Sequence, residues 1–249
     1  MTLNFMIAPD FAPDRFAGWH MLNTVLQRRS GLGLHLLTPA GAREQAELLA
    51  EGKADIVYAN PFDATDMIRS QGFIPFARPA QRYDEMVIAS GANSGIRHVE
   101  DLKPGCRIAM TDNRDVKLIG LRLLEPADLT DAQIQWVDVD SYQAAARLAI
   151  KGEVEAAFFL ADAFASLTRL SRSQLQVLVE SAIHDISHVL LAHPRMAAEV
   201  PRIAQALLSV GAQPGDGDVL EALGLPAGFE AMTQEQAEFM IDLMDTLLD

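Results

Sequence analysis

The segment HDISHVLLAH (184–193) gathers three of the chain's six histidines, with Asp185 among them. Imidazole and carboxylate are good zinc ligands, and two histidines four apart on a helix could share one ion. This segment reads as a strand, however, and residues four apart on a strand stand ~13 Å from each other. His184 and His188 are therefore expected to be hinge or surface histidines, and no metal site is expected. PGDGD (214–218) is acidic and glycine-rich but lacks the spacing and closing glutamate of a calcium loop. No G-x-S-x-G elbow, H-E-x-x-H, P-loop or G-x-G-x-x-G occurs, so catalysis has little support and no cofactor is expected. Cys106 is the sole cysteine and sits in an apolar run, which makes it core and rules out an internal disulfide. What remains is binding chemistry. The run Thr111-Asp112-Asn113-Arg114-Asp115-Val116-Lys117 sets two cations that attract an anion among two carboxylates that repel it.

Something must position such residues, and the composition allows it. The 249 residues are 49% hydrophobic and 22% charged, enough for a full core in one large domain or two smaller ones. The net charge is -14, and an acidic surface argues against nucleic acid or an anionic membrane as partner. No apolar run is long enough to span a bilayer.

Strand-length apolar runs alternate with amphipathic stretches almost throughout. Strands are expected at 3–8, 33–40 and 54–59, then at 84–90, "CRIAM", "IQWVDV", "VEAAFFL", "LQVLVES" and 187–192. Helices are expected at 13–29, 42–52, 62–70, 116–125, 141–151, 162–170, 194–210 and 233–248. Such alternation predicts parallel sheets covered by helices. Two segments repeat one plan: GKADIVYANPFDA (52–64) and GEVEAAFFLADAFA (152–165) each run through a buried strand onto a helix start. Helix starts carry unpaired N–H groups and partial positive charge. In open α/β sheets ligands sit beyond the carboxyl ends of the strands. Two such edges, one from each half of the chain, could face each other across a cleft.

The order ADIVYANPFDA, then YDEMVIAS with SGIRHVEDLKPGCRIAM, then SHVLLAHPRM and PRIAQALLSV resembles the phosphate- and phosphonate-type substrate-binding proteins of ABC importers. These are type II, transferrin-like binding proteins. The resemblance covers most of the chain and is strongest over Ser94–Met110. It implies an α/β fold of two lobes, each a mainly parallel sheet flanked by helices, joined by two crossover hinge strands. Lobe one would be 1–82 plus 187–249, and lobe two 83–186. It implies a non-catalytic solute-binding protein that closes on a small polar metabolite or oxyanion, phosphonate- or phosphate-like or zwitterionic, for uptake or sensing. Metabolite-processing enzymes of the menaquinone pathway and pyrimidine-precursor synthases are similar in fold and supply the alternative reading. Expected partners are the ligand and an ABC permease or a sensor or regulator protein, and the protein is expected to be a monomer. As written, the chain shows no secretion signal, which reads as cytoplasmic, or as periplasmic if it is a trimmed mature form.

Ligand contacts are expected at strand ends. Asp10 and Phe11 follow the first strand, and Asn60 and Phe62 end the first copy of the repeat, where Asn60-Pro61 would equally serve as a helix start. Tyr83 precedes the first crossing and could lie over the cleft or pack the hinge. Thr111, Asn113 and Arg114 are the expected polar contacts of lobe two. Tyr142 follows Ser141, whose own expected role is capping, and Asp162 could cap a helix or bind an ammonium group. Phosphonate binders carry a Ser/Thr/Gly-rich turn where this chain has Thr111–Lys117, so a ligand with both an acidic and a basic group suits it at least as well.

Overall fold

The computed structural model describes residues 2–11 and 13–248. The chain opens with β1 (Thr2–Ile7), α1 (Phe16–Ser30), β2 (Gly33–Leu37), α2 (Ala42–Ala50), β3 (Ile56–Ala59), α3 (Pro61–Arg69) and β4 (Ile74–Pro79). Its middle holds β5 (Met86–Gly91), β6 (Arg107–Met110), α4 (Arg114–Leu123), β7 (Gln135–Asp138), α5 (Tyr142–Lys151) and β8 (Ala156–Leu160). There follow α6 (Ala161–Ser166), α7 (Arg169–Ser173) and β9 (Leu175–Glu180). It closes with β10 (Val189–Ala192), α8 (Val200–Leu208), α9 (Asp216–Leu223), β11 (Phe229–Ala231) and α10 (Gln234–Leu248).

These elements form two compact units, Met1–Tyr83 with Ser187–Met244, and Asp84–Ile186 with Asp245–Asp249. Tyr83 thus groups with the first unit rather than the second. The end of α10, expected in lobe one, groups with the second, where Arg122 donates to the Leu247 and Thr246 carbonyls at 3.0 and 2.8 Å.

The first unit holds a six-stranded sheet ordered β11-β4-β10-β3-β1-β2, the second a five-stranded sheet ordered β7-β6-β8-β5-β9. Both are mixed, which corrects the expectation of mainly parallel sheets. The β1–β2, β1–β3, β6–β7 and β6–β8 pairs are parallel, while β10 runs against β3 and β4, β5 against β8 and β9, and β11 against β4. The cause is connectivity. β5 and β10 each follow a crossing between units, and each begins at the edge where its parallel neighbours end, so it must run against them.

Central strands are buried on both faces, which is why their sequences are apolar without alternation. In β1, Leu3, Phe5 and Ile7 join a core with Trp19, Leu22 and Leu223, whereas Met6 points to the other face with Val57, Met67 and Ile241. Gly18 lets α1 approach α9 closely, since a Cβ there would stand 2.6 Å from the Ala222 carbonyl. In the second unit Val87, Ala109 and Phe159 pack beneath Ala145 and Ala149 of α5.

Several boundaries differ from the sequence reading. The helix expected over 162–170 is two helices, because Thr168 caps α7 by accepting from the Ser171 N–H. The one expected over 194–210 begins as a 3-10 turn and restarts as α8 with Pro201 in its first turn, where a missing N–H costs nothing. FIPFARP becomes β4, whose Pro75 lies beside a register shift between Leu190 and Leu191 of β10. α9 and β11 lie between 210 and 233, where the sequence pattern predicts no element.

Candidate functional site

In the first unit, β1 and β3 end side by side at the edge where β10 begins. Asn60 caps α3: its Oδ1 accepts from the Asp63 N–H at 2.8 Å, and Pro61 follows at the first helical position. Its Nδ2 donates to Asp63 Oδ2 at 3.1 Å, an oxygen that also accepts from Gln45 Nε2 at 2.5 Å. Asn60 further bonds the Asp10 side chain. Both Asp10 oxygens lie 3.3 Å from His188 Nε2, and the two side chains are 20% and 14% exposed. The His188 ring stacks on Tyr58 with centroids 4.9 Å apart, and Tyr58 meets Trp19, which meets Phe11. Asp10, Phe11 and Asn60 are thus brought together as one aromatic-backed polar wall. Phe62 is half-buried in the first turn of α3.

His188, expected to be an ordinary hinge or surface histidine, is the partner of Asp10. The only signal was its place: Val189 pairs with Ala59, so His188 falls at the strand-end edge. Burial pushes the Asp10 carboxyl up, but the His188 charge and hydrogen bond, a backbone N–H and Asn60 outweigh it, and it lies below the usual carboxylate range. Its stabilising share is therefore complete above the ordinary carboxylate pKa, ~3.9, and is lost as pH falls through the lower folded value. Asp10→Asn is expected to cost about 1–2 kcal/mol at neutral pH, less than a short charge-assisted bond because the contact is long. In acid-unfolding curves the gap between variant and parent should close below about pH 3. A gap that stays constant to pH 2 would show that the carboxylate charge is not what Asp10 contributes.

The second unit repeats the arrangement. β7, β6 and β8 run parallel in that order, so their following turns line one edge with Thr111–Arg114 in the middle. Asn113 is the cap of α4, accepting from the Val116 N–H at 3.0 Å, and Arg114 is the exposed first residue of that helix. Ser141 caps α5, and Tyr142 opens it with its ring 6.2 Å from Phe159. Asp162 is half-buried in the first turn of α6. Lys117, counted among the anion-attracting residues, is turned elsewhere: it pairs with Asp131 at 2.9 Å and lies over the Trp136 ring at 4.7 Å.

Both crossings begin or end at these edges. Glu85 ties them within the second unit, accepting from the Ser181 hydroxyl and from the His184 N–H at 2.7 Å, while the Asp84 N–H donates to the Ile186 carbonyl. Gln81 and His184, one before each crossing, hold φ of 54° and 61°. This left-handed region is uncommon for residues other than glycine and is found at hinges and binding sites. Tyr83 lies between Gln81 and β5, half-buried. Among the described residues no group of three or more His, Cys, Asp or Glu could hold a metal, and no helix is long and apolar enough to cross a membrane.

A family model described as "ABC transporter, phosphonate, periplasmic substrate-binding protein" matches residues 5–237. The chain belongs to this family. Its members are the non-catalytic binding components of ABC importers and are periplasmic. The chain is therefore a substrate-binding protein rather than an enzyme. Solved structures agree in fold. PhnD1 from Prochlorococcus marinus (MIT 9301), in complex with methylphosphonate, is 13% identical with a TM-score of 0.81, over 99% of this chain and 98% of that one. A binding protein component of an ABC phosphonate transporter from Pseudomonas aeruginosa is 15% identical with a TM-score of 0.77, over 100% and 89%. The periplasmic aliphatic sulphonate binding protein SsuA from Escherichia coli is 17% identical with a TM-score of 0.70, over 99% and 86%. No curated protein matches the chain. Like these neighbours, this member has the two-lobed α/β fold of type II binding proteins.

Proposed function

We propose that this protein binds a small oxyanion of the phosphonate, phosphate or sulfonate class between its two strand-end edges, with Asp10, Phe11, Asn60, Phe62 and Tyr83 on one side and Thr111, Asn113, Arg114, Tyr142 and Asp162 on the other. Its lobes, 1–82 plus 187–249 and 83–186, close on the ligand and present it to an ABC permease, with the protein acting as a periplasmic monomer.

One observation carries this reading: in each unit the parallel strands end on helix N-termini, at the edge where the chain crosses to the other unit. Backbone N–H groups at the starts of α4 and α5 favour an anion. Charge at these edges supports it too. Asp10 is answered by His188, so the first wall repels an anion less than its carboxylates alone suggest. Arg114 stands exposed at a helix start. A ligand that adds an amino group to its oxyanion would find Asp162.

The test uses methylphosphonate, inorganic phosphate and an alkylsulfonate as probes. Trp19, in contact with Tyr58, gives a fluorescence report, and small-angle scattering gives the radius of gyration. Saturable binding of at least one probe with compaction is expected. Neither signal changing with any of the three would sink the reading.

A further inference from the structure

With 34 acidic and 20 basic residues, most cations of this chain should find a carboxylate, yet one face of the second unit departs from that. α5 (YQAAARLAIK) and α7 (RLSRS) carry four cations and no carboxylate. Arg147 and Lys151 lie four apart on α5, and Arg169 and Arg172 three apart on α7, so each pair shares a helix face. Lys151 reaches Glu153 at 3.5 Å. Arg147, Arg169 and Arg172 have no ion pair or hydrogen bond from their side chains among the described residues. Between α5 and the turn joining α6 to α7 runs a groove of about 340 Å³, with Ala146, Ile150 and Leu167 as its apolar lining and Arg147 and Lys151 at its rim. Beside it Leu170 is 71% exposed, more than any other large hydrophobic residue described. A ten-residue helix is ~15 Å long, and α5 starts at the strand-end edge, so its Lys151 end lies far from the proposed ligand residues.

We infer that the α5–α7 face is a docking surface for an acidic protein segment that lays an apolar side chain into the groove and sets carboxylates against Arg147, Arg169 and Arg172. Gathering like charges costs stability unless a partner answers them, and complementary charge mainly sets partner choice and association rate. Arginine is enriched at the centres of protein interfaces, and an apolar-lined groove beside it gives a partner's side chain a place to bury. A free oxyanion suits the groove poorly, because the Thr168 and Ser171 hydroxyls that border it are bonded to each other at 3.0 Å and do not converge on a guest. A membrane suits it poorly too. A bilayer is flat, and its anionic surface would meet the field of a protein of net charge -14, whereas a narrow segment meets only the groove.

The experiment measures fluorescence anisotropy of a labelled acidic peptide, three repeats of Glu-Leu-Asp-Glu, with the full chain at about 50 mM and about 0.5 M salt. The unmodified protein is expected to bind the peptide at low salt despite its net negative charge. Arg147→Glu/Arg169→Glu/Arg172→Glu should weaken binding by roughly tenfold or more, and Leu170→Ser several-fold. Arg28→Glu, on α1 of the other unit, should change little. Circular dichroism and melting curves of each variant check that these exposed substitutions leave the fold intact. Three results would overturn the inference: no peptide binding by the unmodified protein, equal binding by the triple variant, or stronger partition onto phosphatidylglycerol vesicles than onto peptide. A concentration-dependent self-association abolished by the triple variant would also overturn it, since the occupant would then be a second copy.

Discussion

Asp216→Ala is expected to lower the stability of the first unit by about 3 kcal/mol. Arg29 Nη2 meets Asp216 Oδ1 at 2.5 Å, with side chains only 9% and 3% exposed. Asp216 also accepts the Gly211 and Gln213 N–H groups at 2.8 and 2.9 Å, so it closes the loop ahead of α9 while anchoring α1. Removing it strands a buried guanidinium and two loop N–H groups together, and breaking a buried pair costs about 3–5 kcal/mol. The lower end applies because Arg29 keeps its hydrogen bonds to the Ser209 carbonyl and hydroxyl. Burial raises the Asp216 carboxyl, but the Gln213 and Gly211 N–H groups and Arg29 outweigh this and leave it below the usual range. Its contribution is accordingly full above ~pH 4 and fades as pH falls through the lower folded value. Calorimetry should show a melting temperature about 6–12 °C lower for the variant at neutral pH, converging with the parent in acid. Asp216→Leu with Arg29→Met should recover most of the loss. A single-variant loss below about 1 kcal/mol would mean that the pair is solvated and the loop closes without it.

Arg114→Ala is expected to weaken binding of the oxyanion probe 10- to 100-fold, since a charge-assisted bond to a desolvated anion contributes about 1.5–3 kcal/mol. Arg114→Lys should recover only part, because the ammonium keeps the charge but loses the planar fork. Lys117→Ala is the informative control. It sits three residues away in sequence, yet it is held by Asp131 and Trp136, so its loss should touch stability and leave affinity within about twofold. Titration calorimetry on the three variants separates the cases. Equal affinity of Arg114→Ala and the parent would show that the helix N-termini hold the anion without a side-chain cation. Equal losses from Arg114→Ala and Lys117→Ala would show that only the net charge of the turn matters.

The residues themselves determined the alternation of elements, the strand-to-helix plan at 52–64 and 152–165, and the helix start at Asn60-Pro61. Each depends on contacts within a few positions, where periodicity, capping and proline act directly. The family was legible too, because the connector over Ser94–Met110 is itself a local pattern. What the tertiary structure alone decided lies at long sequence separation. Asp10 and His188 stand 178 positions apart, and nothing local to either marks the pair. PGDGD lacks the pattern of a calcium loop and nothing within it marks an ion pair, yet its Asp216 meets an arginine 187 positions away. Lys117 reads from its turn as a cation that attracts an anion, whereas the fold sets it against Asp131 and over the Trp136 ring. The sheets proved mixed because strand direction is set by where the chain re-enters each unit, and an apolar run such as Val189–Ala192 is buried equally well in either direction. Hydrophobic pattern specifies which face of a strand is covered; only the closed topology specifies which way it runs and which distant charge it meets.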